Sequence, residues 1–234
     1  MSDSPTTTRP SAVLLAGVFL AGALLTTMAS GCGSTPIRHY QPEVYADQLT
    51  QADRTAENVV LAVQDFSAGA AYDEQRIVYR KGRYRFDYYH YHRWAAPPGM
   101  LVADLLRQVY SATDAFQAVV GGYSSSADAV LSGQVIALEE VDVDEKKWLG
   151  RVVLDLHLRD ARTGELLWNE IVKQEHTMTR QSPTGLTAAL SAAITKIGSE
   201  TAGTLARLAE ESKKSRPGGN PDLQLKEPED SGSD

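Results

Sequence analysis

The sequence predicts an α+β fold, a mostly antiparallel sheet covered by helices. Three observations predict it. Residues 150–159 alternate, with Val152, Leu154, Leu156 and Leu158 on one face and Arg151, Val153, Asp155, His157 and Arg159 on the other, so one face is buried and the other mostly wet. Residues 182–208 carry Leu186, Leu190, Ile194, Ile197, Thr201, Leu205 and Leu208 at spacings of three and four, the stripe of a long amphipathic helix. The other strand-like runs fall into two groups, each followed by a helical pattern, which suits helices packed on a sheet.

Taken in order, the chain begins with an address. Residues 12–25 form one apolar run, preceded by Arg9 and followed by Ala29-Ser30-Gly31 and then Cys32. The run has the length of a secretory signal and falls short of the roughly 20 residues that cross a bilayer, so residues 1–31 read as a leader. A cysteine directly after small residues resembles the bacterial lipobox, in which the thiol is diacylated, the leader is cut before it and the new amino terminus is acylated. Cys32 is then the lipidation site. Each buried CH₂ contributes about 0.8 kcal/mol, so one chain holds marginally and two or three hold durably. Gly33 is not the Asp that commonly retains such proteins in the inner membrane, and the outer membrane, facing the periplasm, is the expected location. Residues 32–57 are polar and broken by Pro36 and Pro42. They read as a tether of about 25 residues, roughly 80 Å if pulled straight.

The folded domain is expected over residues 58–211, enough for one core. Residues 58–64 are a β-branched run consistent with a buried strand. Residues 76–80 and 83–92 flank Lys81-Gly82, the spacing of a two-residue hairpin turn. On the second of these strands Tyr84, Phe86, Tyr88, His90 and His92 share one face by alternation. Pro97-Pro98 opens a helix that continues with Met100, Leu101, Leu105, Leu106 and Val109. Residues 116–120 form a short strand, residues 123–126 a loop, and residues 129–141, 150–159 and 166–177 three longer strands. Asp160 to Gly164 supplies turn chemistry, with Gly164 available for a positive φ. Ser182-Pro183 pairs an N-cap with proline at the first helical position. Residues 212–234 are rich in Lys, Glu, Asp, Pro, Gly and Ser and read as a disordered tail.

Composition excludes several function classes. With 42% hydrophobic and 23% charged residues the chain is neither a multi-span membrane protein nor wholly disordered. A net charge of −7 sets its mean field against polyanions, so no nucleic-acid partner is expected. A single cysteine leaves no internal disulfide and no site built from several thiolates. His90 and His92 with Asp87 are the best metal candidate, but no further Glu or His stands at ligand spacing, and a Tyr-rich sheet surface explains them more simply. No Gly-x-Ser-x-Gly elbow is present, and Gly121-Gly122-Tyr123-Ser124 lacks the lysine of a phosphate loop. Glu139, Glu140, Asp142, Asp144 and Glu145 read as a solvated hairpin tip, because their order is not that of a calcium loop. Trp94 and Trp148 stand where aromatics can anchor a partner surface, although Trp near a strand end more often packs in the core or at a rim. No catalytic residue, metal or cofactor is expected.

The stretch Gln75-Arg76-Ile77-Val78-Tyr79-Arg80, followed by Tyr89-His90-Tyr91-His92-Arg93-Trp94-Ala95-Ala96-Pro97-Pro98, resembles the ABC-type transport auxiliary lipoprotein family, which includes the paraquat-inducible protein C lipoprotein. Farther along, Ala129-Val130-Leu131-Ser132-Gly133, Leu158-Arg159-Asp160 and Thr163-Gly164-Glu165-Leu166-Leu167-Trp168 match in the same order. With the lipobox, the likeness spans nearly the whole mature domain. It implies a fold similar to the amino-terminal domain of Tol-system protein B. It also implies a non-catalytic adaptor of a mammalian-cell-entry phospholipid transport system, working with an ABC permease, an ATPase and a periplasmic substrate-binding protein that carries the mammalian-cell-entry domain. Aromatic and arginine density nominates Tyr89, Tyr91, Arg93 and Trp94 as the partner contact. Two other readings stay open: an outer-membrane assembly or secretion-pore lipoprotein that oligomerises into a ring, and a periplasmic hydrolase or metal enzyme.

Overall fold

A computed structural model of the chain describes residues 35–44, 49 and 56–216. Nine strands form one sheet: β1 (Arg38–Tyr40), β2 (Ala56–Val63), β3 (Ser67–Ala68), β4 (Arg76–Lys81), β5 (Arg85–Trp94), β6 (Phe116–Gly121), β7 (Ala129–Asp144), β8 (Lys147–Asp160) and β9 (Leu166–Thr177). Two helices are present among the described residues, α1 (Pro98–Ala112) and α2 (Pro183–Lys214). Among the described residues no helix is long and apolar enough to cross a membrane.

The α+β class stands, but the sheet is mixed rather than mostly antiparallel. β7 organises it. Along one edge this strand takes β2 at residues 129–131, β3 at 134–135 and β4 at 139–142, all parallel. Along the other edge it pairs antiparallel with β8, which in turn carries β9. The sheet therefore forks beside β7, with β6 outside β2 and β5 then β1 outside β4. Local alternation identifies the β7–β8–β9 meander, since consecutive strands joined by short turns must run antiparallel. It is blind to parallel partners separated by a helix.

Val152, Leu154, Leu156 and Leu158 are fully buried, as alternation predicts, and meet the apolar stripes of both helices in one core. Pro98 takes the first turn of α1, whose buried stripe is Leu101, Val102, Leu105, Leu106, Val109 and Tyr110; Met100 is 46% exposed and lies off it. The helix starts close against the β2–β3 connection. A Cβ on Gly99 would fall well inside the carbonyl oxygen of Phe66, so only glycine permits this approach. Ser182 caps α2 by accepting the Gly185 amide at 3.0 Å, and Gly164 adopts φ +74° in the β8–β9 turn, both as expected. On the opposite face of the sheet a second, smaller cluster gathers Tyr72, Val78 and Ala137. The β3–β4 connection folds across that face and brings Tyr72 over β7.

Three boundaries differ from expectation. The stretch read as a structureless tether contains β1, which pairs parallel with β5, Arg38 beside His92. The first hairpin has the three-residue turn Gly82-Arg83-Tyr84, because Lys81 pairs with Arg85. The region read as a disordered tail from residue 212 begins inside α2, whose end is clamped to the sheet. Asp128 takes Lys213 at 2.9 Å and Arg216 at 3.2 Å, while Asp160 takes the Ser212 hydroxyl at 2.7 Å and Arg216 at 3.0 Å.

Burial alone would raise the Asp160 carboxyl. Hydrogen bonds from Ser212, the Thr163 amide, Arg216 and the Arg162 amide outweigh it and hold the group well below the usual carboxylate range. A lowered folded-state value means that this contribution is fully present above the unfolded value near ~3.9, and is lost as pH falls from there through the folded value. The stability difference between wild type and Asp160→Asn in urea should therefore narrow by about 1 kcal/mol between pH 7 and pH 3. A difference that stays constant would mean that the clamp does not depend on the charge.

Candidate functional site

The residues nominated from sequence gather on β5, where the strand departs from regular pairing. Arg85 to Tyr88 pair with β4 in register, and Arg93 pairs with Arg76, but between them β4 offers only Ile77 against Tyr89-His90-Tyr91-His92. The surplus residues bulge, and strict alternation fails. Such irregularities re-aim side chains and favour binding edges. β1 covers β5 only from His92 to Trp94, so the outer edge from Arg85 to Tyr91 has no strand beside it among the described residues.

The bulge sorts the four contact candidates. Tyr91 is 49% exposed and points to the surface. Tyr89 is half-buried: its hydroxyl donates to Glu140 Oε2 at 2.9 Å, and its ring meets Tyr79 and His92 edge-on at 5.2 and 5.6 Å. Burial, reinforced by the neighbouring Glu140, pushes the Tyr89 phenol far above its ordinary value. Arg93 is partly exposed. Trp94 is 1% exposed, sits in the main core and cannot meet a partner; this corrects its nomination as a contact. Its place beside Tyr40 of β1 explains the burial, since the strand that covers it lies in the stretch read as tether. Trp148 is half-buried against the same core. Cys32 lies outside the described residues.

His92 is engaged with Tyr40, the hydroxyl and Nδ1 standing 2.9 Å apart, whereas His90 is exposed. Among the described residues no three His, Cys, Asp or Glu side chains come together in a metal-binding arrangement. A cleft of about 420 Å³ opens between the hairpin and the start of α2, lined by Tyr79, Lys81, Tyr88, Tyr89, His90 and Gln181 among others. Its walls are phenol rings and hydrogen-bonding tips, and Ser182, which also lines it, is engaged in capping α2. The cleft can grip a surface or an extended segment.

Beneath the cleft lies what sequence reading missed. Glu139 and Glu140, expected in a solvated tip, are both fully buried; the tip begins only at Asp144. As neighbours on a strand they face opposite sides. Glu139 receives the Tyr72 hydroxyl at 2.8 Å, Arg80 Nε at 3.0 Å and Arg151 Nε at 2.9 Å, with the Arg151 Nη2 also on the same carboxylate. Burial, then Glu139, pushes the Tyr72 phenol up to about 12. Glu140 receives Tyr89 and, at 2.9 Å, the Gln181 amide. Burial raises the Glu140 carboxyl, and those two hydrogen bonds oppose the rise. The twin carboxylates thus hold the hairpin, the β3–β4 connection and the start of α2 to one strand. A charge-rich stretch near a turn looks solvated in sequence; only the register that sets Arg151 opposite Glu139 shows otherwise.

A search among curated proteins finds no match to the chain. Among solved structures the chain is similar to the Xanthomonas campestris protein XCC0632, of the family DUF330, at 18% identity with a TM-score of 0.64, covering 76% of this chain and 99% of that one. It is also similar to a protein of unstated function at 12% identity with a TM-score of 0.55, covering 74% and 98% respectively. At these identities the likeness is one of fold. The model of the ABC-type transport auxiliary lipoprotein component matches residues 44–202, which takes in the hairpin, the bulged strand, both buried carboxylates and most of α2. The chain belongs to the ABC-type transport auxiliary lipoprotein family.

Proposed function

We propose that this protein is a non-catalytic adaptor of a mammalian-cell-entry phospholipid transport system, anchored by acylated Cys32 in the outer membrane and facing the periplasm. Its partner is the periplasmic substrate-binding protein, which connects it to the ABC permease and ATPase. The observation that carries the docking surface is the register slip in β5, which leaves Tyr91 exposed beside a strand edge that has no neighbour over residues 85–91 among the described residues, with the partly exposed Arg93 just beyond it. An unpaired edge offers main-chain hydrogen bonds to an added strand, and the flanking aromatic and arginine side chains supply specificity. The titratable groups near the cleft support a binding role, because Glu139 and Glu140 are consumed by internal partners.

The test is capture of the cognate mammalian-cell-entry protein by wild type and by Tyr91→Ala. Loss of a central aromatic contact costs about 2 kcal/mol, so capture should fall by more than tenfold with unchanged circular dichroism. Undiminished capture by the folded variant would remove the β5 edge from the interface. The alternative, an outer-membrane assembly or secretion-pore lipoprotein that forms a ring, draws on the outer edge of β9, which has no strand beside it among the described residues, since two unlike open edges can join head to tail. Light scattering of the detergent-purified protein separates the two: a closed oligomer without partner favours the ring.

A further inference from the structure

We propose that the tip of the β4–β5 hairpin is a contact surface for an anionic phospholipid bilayer, the one in which the chain's own lipid anchor sits. The tip places Lys81, Arg83 and Arg85 around Tyr84, 88% exposed, and Phe86, 41% exposed. Arg83 and Arg85 form no ion pair with the described residues, and the Lys81 ammonium stands 4.0 Å from Asp142. Counted with Asp87 on the same hairpin, these three cations still outnumber the acid, a local reversal of sign on a chain of net charge −7. Basic side chains interleaved with exposed rings suit the headgroup layer, where cations meet anionic lipid and amphipathic rings are half immersed.

The topology brings the chain into the domain from the side of this tip. β1 runs parallel to β5, with Arg38 beside His92, so the chain enters β1 from the direction of the tip. From His92 back to Arg85 is roughly 23 Å of strand. Cys32 precedes Arg38 by six residues, a reach of at most about 21 Å. A reach that nearly equals the distance to the tip allows the anchor and the tip to meet one bilayer. The β8–β9 turn lies at the other end of β7, since Asp160 pairs with Ala129 while Lys81 pairs with Asp142. Asp142, Asp144 and Glu145, with Lys146 and Lys147, also stand at the tip's end, but on the β7 side. The basic hairpin lies between them and the edge that β1 occupies. The position of the bilayer rests on the anchored-lipoprotein reading; the affinity of the tip for anionic headgroups does not.

The test uses the full chain purified from membranes, with a fluorescent amino acid replacing Tyr84 by codon suppression and, as a control, replacing Thr163 in the β8–β9 turn. Each is reconstituted into phosphatidylcholine vesicles with or without phosphatidylglycerol, some of the lipid carrying a headgroup-depth quencher. Quenching at position 84 should be at least threefold stronger with phosphatidylglycerol than without. It should fall to the level of position 163 when Arg83→Glu and Arg85→Glu are added. Equal quenching in both vesicles, or none at position 84, would overturn the proposal. Mass spectrometry of the same samples reads Cys32 separately. A bare thiol with quenching at position 84 removes the anchor and keeps the tip contact, and an acylated Cys32 without quenching does the reverse.

Discussion

Trp94→Ala should destabilise the folded chain by about 4 kcal/mol, because it removes the largest side chain of the core and leaves a cavity that the surrounding strands cannot close. The expected reading in urea is a lower midpoint with little change in slope. In a thermal scan it is a fall on the order of 10 °C for a domain of this size. The effect has a second consequence. β1 pairs with β5 over the three residues that end at Trp94, and the Trp94 amide donates to the Gln75 carbonyl at 2.7 Å. Loss of the ring should therefore loosen β1 first, and hydrogen exchange at residues 38–40 should rise more than across β8. A loss below about 1 kcal/mol would mean that the ring contributes as a rim residue. Reduced partner capture by this variant would report unfolding rather than a lost contact, which is why Tyr91 is the informative position.

The second large effect belongs to Glu139. Replacing it by alanine leaves two guanidinium groups and the Tyr72 hydroxyl facing a space with no acceptor, and breaking a buried ion pair from one side costs about 3 to 5 kcal/mol. Glu139→Gln keeps one acceptor and should cost less. The informative comparison is the triple variant Glu139→Leu, Arg80→Leu, Arg151→Leu, which removes all the charges together. It should recover most of the lost stability, since desolvation of the ions offsets much of their attraction. Equilibrium unfolding of the three proteins distinguishes a network kept for orientation from one kept for strength. If the triple variant is as unstable as Glu139→Ala, the carboxylate contributes net stability in place. In Glu139→Ala the Tyr72 phenol should fall only part of the way towards its ordinary value, because burial, the first cause of its rise, remains; ultraviolet titration follows it directly.

Parts of this molecule were legible from residue order, and the reasons are local. The faces of β8, the turn at Gly164, the cap at Ser182 and the proline start of α1 each follow from a few consecutive residues. The candidate contact stretch was nominated because Tyr, His and Arg crowd it. The roles inside that stretch were not legible. Alternation assigns Tyr89 and Tyr91 to one face, and the bulge opposite Ile77 gives them different surroundings, one bonded to Glu140 and one turned to solvent. Trp94 looked available because nothing in its neighbourhood announces that residues 38–40 return to cover it.

Periodicity, caps and turn residues determined by themselves that this chain makes a helix-covered sheet and where most of its elements begin, while the order of its motifs carried the resemblance to its family. Tertiary structure alone decided that the sheet is mixed and forked along β7, that Glu139 and Glu140 are sealed inside it, and which aromatic side chains remain at the surface. The physical reason is range. A residue's backbone preference is set by its near neighbours, whereas burial and charge pairing depend on strands that meet after separations of 50 residues or more, as Arg38 meets His92 and Arg80 meets Glu139.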